Sequence, residues 1–283
     1  AVVQSRYGSS DTWQLTDTDR PEIEADEVLV RVHAAGLDRG TWHMMTGRPY
    51  LMRLLGFGLR SPKNHVPGRG TAGTVAAVGA KVTRFAVGDA VFGVSRGAFA
   101  EYAAAREDKL APKPSTLTFE QAAAVPISAT TALQGLRLGR IEAGQKVLII
   151  GASGGVGSYA VQLAKSYATE VTGVCSAAKS DLVRSLGADH AIDYATEDAT
   201  DGSRRYDLIL DIGGNTSLRR LRRALNPTGT LVIVGGESKG NLTGGFGRSL
   251  RAPLISLFVR QRLTMLVSKE HHSDLGPLTD LID

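Results

Sequence analysis

Two hydrophobic patterns divide the chain. Up to about Leu117 the apolar positions fall in short β-branched runs; beyond it, compact apolar runs alternate with segments spaced like amphipathic helices. In the first part, 27–34 (EVLVRVHA) alternates apolar and polar residues as a half-buried strand does. Residues 70–94 carry apolar runs broken by glycines and by Gly88-Asp89, the pattern of a small barrel with tight turns. Residues 98–104 (AFAEYAA) predict one more strand.

The pattern turns helical over 115–139. Thr118, with Gln121 three positions on, makes a capping box, and Pro126 is expected to end that helix before a second begins at Ala129. The following residues predict strands over 147–150, 170–175, 191–193, 206–212, 230–234 and 263–268. Helices are predicted from about Val156 and over 178–186, 217–225 and 250–258. This alternation implies an α/β fold with a parallel sheet covered on both faces. The expected domains are 1–117, β-rich, and 118–283, doubly wound.

The first unit of the alternation is the most informative. Residues 146–165 (KVLIIGASGGVGSYAVQLAK) read as a buried strand, a turn with Gly151, Gly154, Gly155 and Gly157, and a helix. Strand, glycine turn and helix hold a dinucleotide pyrophosphate in such sheets. The N–H groups at Ser153, Gly154, Gly155 and Val156 would face the phosphates, with the helix dipole favouring their charge. Ligands sit beyond the carboxyl ends of the strands, which makes Gly213, Gly235 and Gly236 places where a cofactor can approach the backbone.

Composition narrows the class. The chain has 283 residues, a hydrophobic fraction of 42%, and a net charge of +5 with its basic residues spread along the sequence. No nucleic-acid partner is expected. The densest basic group, Arg219, Arg220, Arg222 and Arg223, falls on a predicted helix whose Leu218, Leu221 and Leu225 face inward, so it reads as a solvated face. One cysteine, Cys175, leaves no internal disulfide and no cysteine-rich zinc site. No apolar run reaches the roughly 20 residues of a membrane span. The expected compartment is the cytoplasm.

Six stretches resemble the zinc-independent branch of the medium-chain dehydrogenase/reductase superfamily, the quinone oxidoreductase-like proteins. They are 67–79 (PGRGTAGTVAAVG), 88–93 (GDAVFG), 97–102 (GAFAEY), 122–132 (AAAVPISATTA), 151–165 and 186–194 (LGADHAIDY). The resemblance implies a GroES-like β-barrel joined to a Rossmann domain, with the active site in the cleft between them. It also implies a homodimer formed through the Rossmann sheet edge, here the predicted strand bearing Leu263, Met265 and Val267. Zinc members carry a Cys and a Gly-His-Glu motif where this chain has Asp38 and Gly68-Arg69-Gly70, so no metal is expected. Family members have last strands that return to the barrel. This sequence ends at Asp283 within what reads as the helix after the sixth strand, so the return segment is expected to be missing.

The cofactor choice turns on the end of the second strand. An NAD site places a carboxylate there, about 20 residues past the glycines. Here Val174-Cys175-Ser176 offers none; Lys179 follows three residues after Ser176, and Tyr194 lies near the end of the third predicted strand. Hydroxyl, ammonium and phenol groups suit a 2′-phosphate, and in NADPH-using relatives the matching lysine and tyrosine bind it. NADPH is therefore the expected cofactor. The resemblance also places Thr131 near the nicotinamide, and Asp38 where relatives often carry Asn. Tyr50, after the loop Gly47-Arg48-Pro49, could reach the cleft, so Asp38 and Tyr50 are the candidate catalytic residues. The expected activity is hydride transfer to a small molecule, a quinone or an activated alkene. The alternatives are a carbonyl or alcohol dehydrogenase of the same superfamily and a dinucleotide-binding protein without turnover.

Overall fold

A computed structural model describes residues 1–235 and 245–283, apart from the side chains of Leu55 and Phe246. The chain divides into two compact units: Ala1–Thr130 with Lys269–Asp283, and Thr131–Ser268. The expected boundary after Leu117 precedes the helix α3 (Phe119–Gly139); the division falls inside that helix.

The first unit begins with a two-stranded sheet of β1 (Val2–Gln4) and β2 (Trp13–Leu15). Its main sheet is antiparallel, with strands β3 (Glu27–Ala35), β4 (Gly70–Val78), β5 (Ala90–Val94), β6 (Tyr102–Arg106) and β7 (Leu110–Pro112). Their order is β6-β3-β4-β5-β7. Val28, Val30, Val75, Phe85, Val91, Ala105 and Leu110 form the core. The alternation read for β3 holds from Arg31 onward, but Glu27 to Leu29 are buried on both faces. Glu27 tolerates this because Arg96 pairs with it at 2.8 Å and the Glu24 N–H donates to it at 3.0 Å.

The strand predicted over 98–104 starts only at Tyr102. Gly97 turns the chain at φ +69°, and the N–H groups of Ala98 and Phe99 donate to Gly68 and Pro67 carbonyls instead of to a ladder. Helix α1 (Arg39–Thr46) and the single turn α2 (Tyr50–Met52) lie between β3 and β4. Helix α8 (His272–Ile282), expected in the dinucleotide domain, belongs to this unit. It lies beside β7, and Asp283 accepts from Ser115 Oγ at 3.1 Å and Thr116 N–H at 3.2 Å.

The capping box is present: Thr118 N–H donates to Gln121 Oε1 at 2.9 Å, and Gln121 N–H to Thr118 Oγ1 at 3.2 Å. Pro126 does not end the helix, which runs on to Gly139. Ala122, Ala123 and Val125 before the proline, and Ala129, Ala132, Leu133 and Leu136 after it, are all buried. Burial along one continuous face outweighs the local cost of a proline, about 3 kcal/mol.

The second unit holds β8 (Lys146–Ile150), β9 (Glu170–Cys175), β10 (His190–Asp193), β11 (Tyr206–Asp211), β12 (Leu225–Ile233) and β13 (Arg262–Met265). All pairs are parallel, in the order β10-β9-β8-β11-β12-β13. Helices α4 (Gly155–Ser166), α5 (Ser180–Ser185), α6 (Leu218–Ala224) and α7 (Phe246–Ser256) supply the crossovers. The helix read over 178–186 is a 3₁₀ turn, Ala177–Lys179, followed by α5. Strand β12 begins at Leu225, earlier than expected, because Leu225 pairs with Tyr206 before the register shifts and Thr230 meets Leu208. Pro227 sits in that irregularity, where no ladder bond is lost.

Leu148, Ile209, Leu221, Leu225, Leu231 and Leu263 belong to one buried cluster. Three of the four arginines expected on a solvated face are engaged. Arg220 pairs with Asp198, Arg222 Nε donates to Gln261 at 3.1 Å, and Arg223 donates to the Thr200 carbonyl at 3.4 Å.

Candidate functional site

Strand order reverses between β8 and β11. The loops leaving those strands diverge there, which opens a crevice beyond their carboxyl ends. A cavity of about 630 Å³ occupies this place in the second unit, with Gly151, Ser153, Ser176, Tyr194 and Gly213 in its wall.

The turn after β8 is built by its glycines, each for a separate reason. Gly151 has φ +90°, which favours glycine. A Cβ on Gly157 would stand 2.0 Å from the Gly151 carbonyl oxygen, so this glycine lets α4 pack onto the turn. Gly154 is different: its φ is −81°, and a Cβ there would meet only the Gly151 oxygen, at 3.4 Å. Nothing in the fold forbids a side chain at Gly154. Gly154 and Gly155 are exposed, and Ser153 and Val156 half-buried. No side chain caps α4. The N–H groups of its first turn have no acceptor within the helix, and the dipole makes this end positive. An uncapped helix start with room for a Cβ at Gly154 fits a phosphate; of the four residues expected there Ser153 is in the cavity wall, and Gly154, Gly155 and Val156 are not.

At the end of β9, Ser176 opens the 3₁₀ turn, and Lys179 N–H donates to the Ser176 carbonyl at 2.9 Å. Lys179 is exposed in that same turn but is not part of the cavity wall. Tyr194 is in the wall, and its N–H reaches the Cys175 carbonyl at 3.2 Å. Gly213 donates to the Ile150 carbonyl at 3.0 Å. Gly235 packs so closely that a Cβ would lie 2.2 Å from the Ile212 oxygen. Gly236 lies outside the described residues. Thr131 is half-buried on α3 and does not line this cavity.

Sequence reasoning missed the far wall, formed by Thr196 to Thr200 with Asn215, Thr216 and Arg220. It contains two carboxylates, and both are matched by arginine. Arg204 is 3.6 Å from Glu197, and Arg220 pairs with Asp198. Burial alone would raise the Asp198 carboxyl. The Thr200 hydroxyl and N–H, at 2.7 and 2.9 Å, together with Arg220, outweigh that and hold it below the usual carboxylate range.

Two family models match the chain: the alcohol dehydrogenase GroES-like domain over residues 24–115 and the zinc-binding dehydrogenase over residues 155–269. A chloroplastic NADPH-dependent alkenal/one oxidoreductase of Arabidopsis thaliana is 38% identical over 227 residues, which is 76% of this chain and 57% of that protein. A chloroplastic quinone-oxidoreductase homolog of Spinacia oleracea is 36% identical over 227 residues, 74% of this chain and 67% of that protein. The chain belongs to the medium-chain dehydrogenase/reductase superfamily, among its quinone oxidoreductase-like members. The structure of the quinone oxidoreductase from Coxiella burnetii superposes with a TM-score of 0.86 at 28% identity, over 100% of this chain and 86% of that one. The GroES-like and Rossmann folds expected from the resemblance are those observed. The chain spans little more than half to two thirds of the length of these curated relatives.

Family membership directs attention to Asp38 and Arg69. Asp38 is the N-cap of α1, with its Oδ1 accepting from Thr41 N–H at 2.9 Å and its Oδ2 from Thr41 Oγ1 at 3.1 Å. Asp38→Ala is expected to cost about 1 kcal/mol of stability, whereas Asp38→Asn, itself a good cap, costs less than half of that. Thermal melts of both variants check this. Tyr50 lines a separate cavity of about 480 Å³ with Tyr7, Trp42 and Arg53, and Arg53 stands 4.7 Å from its ring centre. Asp38 is not in that wall. Arg69 is ion-paired with Glu270. Among the described residues, no group of three or more His, Cys, Asp or Glu is placed to hold a metal ion.

Proposed function

We propose that this chain is an NADPH-dependent, zinc-independent oxidoreductase that transfers a hydride to quinones or α,β-unsaturated carbonyls. The observation that carries the reading is the end of β9, where Ser176 and Tyr194 line the cavity, Lys179 stands in the adjoining turn, and the two carboxylates in the cavity wall, Glu197 and Asp198, are matched by arginines. Such a surface attracts the 2′-phosphate of the adenosine ribose, and an unpaired carboxylate would repel it. The relatives, an alkenal/one oxidoreductase and a quinone-oxidoreductase homolog, agree with the substrate class.

NADPH, when bound, supplies the hydride. The chain itself binds and orients. The first-turn N–H groups of α4, with Ser153, Gly154, Gly155 and Val156, would hold the pyrophosphate. Ser176, Lys179 and Tyr194 would hold the 2′-phosphate. Gly213, Gly235 and Gly236 would let the cofactor lie against the backbone, and Thr131 is assigned to its nicotinamide side by the family resemblance. Asp38 and Tyr50 remain the candidate catalytic residues, Tyr50 in the cavity it shares with Tyr7 and Arg53 and Asp38 outside that cavity at the start of α1. The one proton that completes an enone or quinone reduction after hydride transfer can come from water, so the chemistry requires no dedicated acid. Zinc independence is supported at Arg69, where the family's metal motif would stand: a guanidinium held by Glu270 is no zinc ligand.

The reading includes a homodimer through β13, which is an edge strand of the sheet. It also keeps the cytoplasmic placement, supported by a lone, free thiol at Cys175. No helix among the described residues is long and apolar enough to cross a membrane. Oxidation of NADPH followed with a panel of quinones, enones and simple ketones tests the proposal. Turnover of quinones or enones is expected. Turnover confined to ketones would favour the carbonyl dehydrogenase, and tight cofactor binding without turnover the non-catalytic reading.

A further inference from the structure

Beyond the crevice, β11 ends on a buried charge that the proposed chemistry does not use. Asp211 is fully buried, and its partner Arg248, on α7, is 14% exposed. Arg248 Nη1 pairs with Asp211 and donates to the Thr216 carbonyl at 2.7 Å; its Nη2 donates to the Gly235 carbonyl at 3.1 Å. The other Asp211 oxygen, Oδ1, accepts from Gly214 N–H at 3.0 Å. The Asp211 main-chain carbonyl takes the N–H groups of Val234, at 3.0 Å, and Gly235, at 3.2 Å. One ion pair therefore ties together the loop after β11, the loop after β12 and the start of α7.

This arrangement is a poor device for stability alone. Burial raises the Asp211 carboxyl above its ordinary value against the pull of Arg248. Arg248 Nε is buried with no partner among the described residues. A well-packed apolar pair is often at least as stable as a buried ion pair. What the pair supplies is geometry: each hydrogen bond fixes a backbone group in the loops leaving β11 and β12, the first of which lines the crevice.

In a doubly wound sheet the two halves bind the two nucleotides. Here β8, β9 and β10 carry the adenosine-side groups Ser176, Lys179 and Tyr194, and β11, β12 and β13 form the other half. We propose that Asp211 and Arg248 are positioning residues for the nicotinamide half of the cofactor, holding the loops at Gly213–Thr216 and Gly235 in the register that half requires. This rests on the dinucleotide reading given above.

The test compares two ligands on one folded variant. In Asp211→Asn/Arg248→Met the buried charges go together, and Asn can still accept from Gly214. By calorimetric titration, NADPH is expected to bind about tenfold or more weakly than to wild type. The adenosine fragment 2′,5′-ADP, whose 2′-phosphate is assigned to Ser176, Lys179 and Tyr194, should lose no more than about threefold; Gly213, Asn215 and Thr216 line the same cavity, so a small loss is expected. Equal losses for both ligands, or none for NADPH, would overturn the proposal. If the double variant does not fold, Arg248→Lys keeps the charge while giving up the fork that reaches three acceptors, and the same unequal loss is expected. Wild type that binds neither ligand would remove the dinucleotide reading, and this proposal with it.

Discussion

Gly154→Ala is expected to leave the protein folded and cofactor binding lost, whereas Gly157→Ala should damage the fold itself. The two glycines stand three residues apart in the same turn. At Gly154 the backbone is in an ordinary extended conformation, and a new Cβ would sit 3.4 Å from its nearest neighbour. The melting temperature should therefore stay within a few degrees of wild type. That methyl group nonetheless stands at the N-cap of α4, the uncapped helix start that a phosphate would approach. Loss of two charge-assisted hydrogen bonds from the first-turn N–H groups to the phosphate costs on the order of a hundredfold in affinity. At Gly157 the Cβ would lie 2.0 Å from one backbone oxygen and 2.8 Å from Ala152 atoms, so backbone must move. Overpacking of this kind costs about 3 kcal/mol or more, a drop of roughly 10 °C for a domain of this size. Thermal melts beside NADPH titrations of the two variants separate the effects. A stable Gly154→Ala protein with unchanged affinity would show that the phosphate is not held at this turn.

The second large effect is at Lys179. Lys179→Ala should weaken NADPH about tenfold to a hundredfold and leave NADH nearly unchanged, because only NADPH carries the 2′-phosphate that the ammonium would meet. The side chain is exposed in the 3₁₀ turn behind Ser176, so its removal should not disturb the fold. The interaction is also open to solvent, and added salt should shrink the NADPH advantage of the wild type. Parallel loss of both cofactors would place Lys179 elsewhere than at the 2′-phosphate.

The parts of this molecule that were legible in its sequence are those encoded locally. The run VLII before Gly151, the periodic apolar positions of 156–164 and the capping box at Thr118 each report their own conformation. Where several such units follow one another, the parallel sheet follows from topology alone. Prediction failed where distant groups decided the outcome. Pro126 reads as a helix end, yet buried residues on both sides of it carry α3 through. The strand placed over 98–104 begins late because Ala98 and Phe99 bond to the loop at Pro67 and Gly68.

The site divides in the same way. Ser153, Ser176, Tyr194 and Gly213 were found because strand ends and glycine turns mark them, and they meet in one cavity. Asp198 and Arg220 were not, since their pairing joins an aperiodic stretch to a helix whose arginines resemble an ordinary wet surface. Nothing in the local sequence ties Asp211 to Arg248 either. Asp38 was read for chemistry from its position in the family pattern, and the structure finds both of its oxygens engaged by Thr41.

The most direct measurement is a pair of titrations on the unaltered protein, NADPH and NADH at the same low ionic strength. Tighter binding of NADPH by about tenfold or more is predicted, the worth of one charge-assisted contact to the extra phosphate. Equal affinities, or tighter NADH, would contradict the assignment of Ser176, Lys179 and Tyr194.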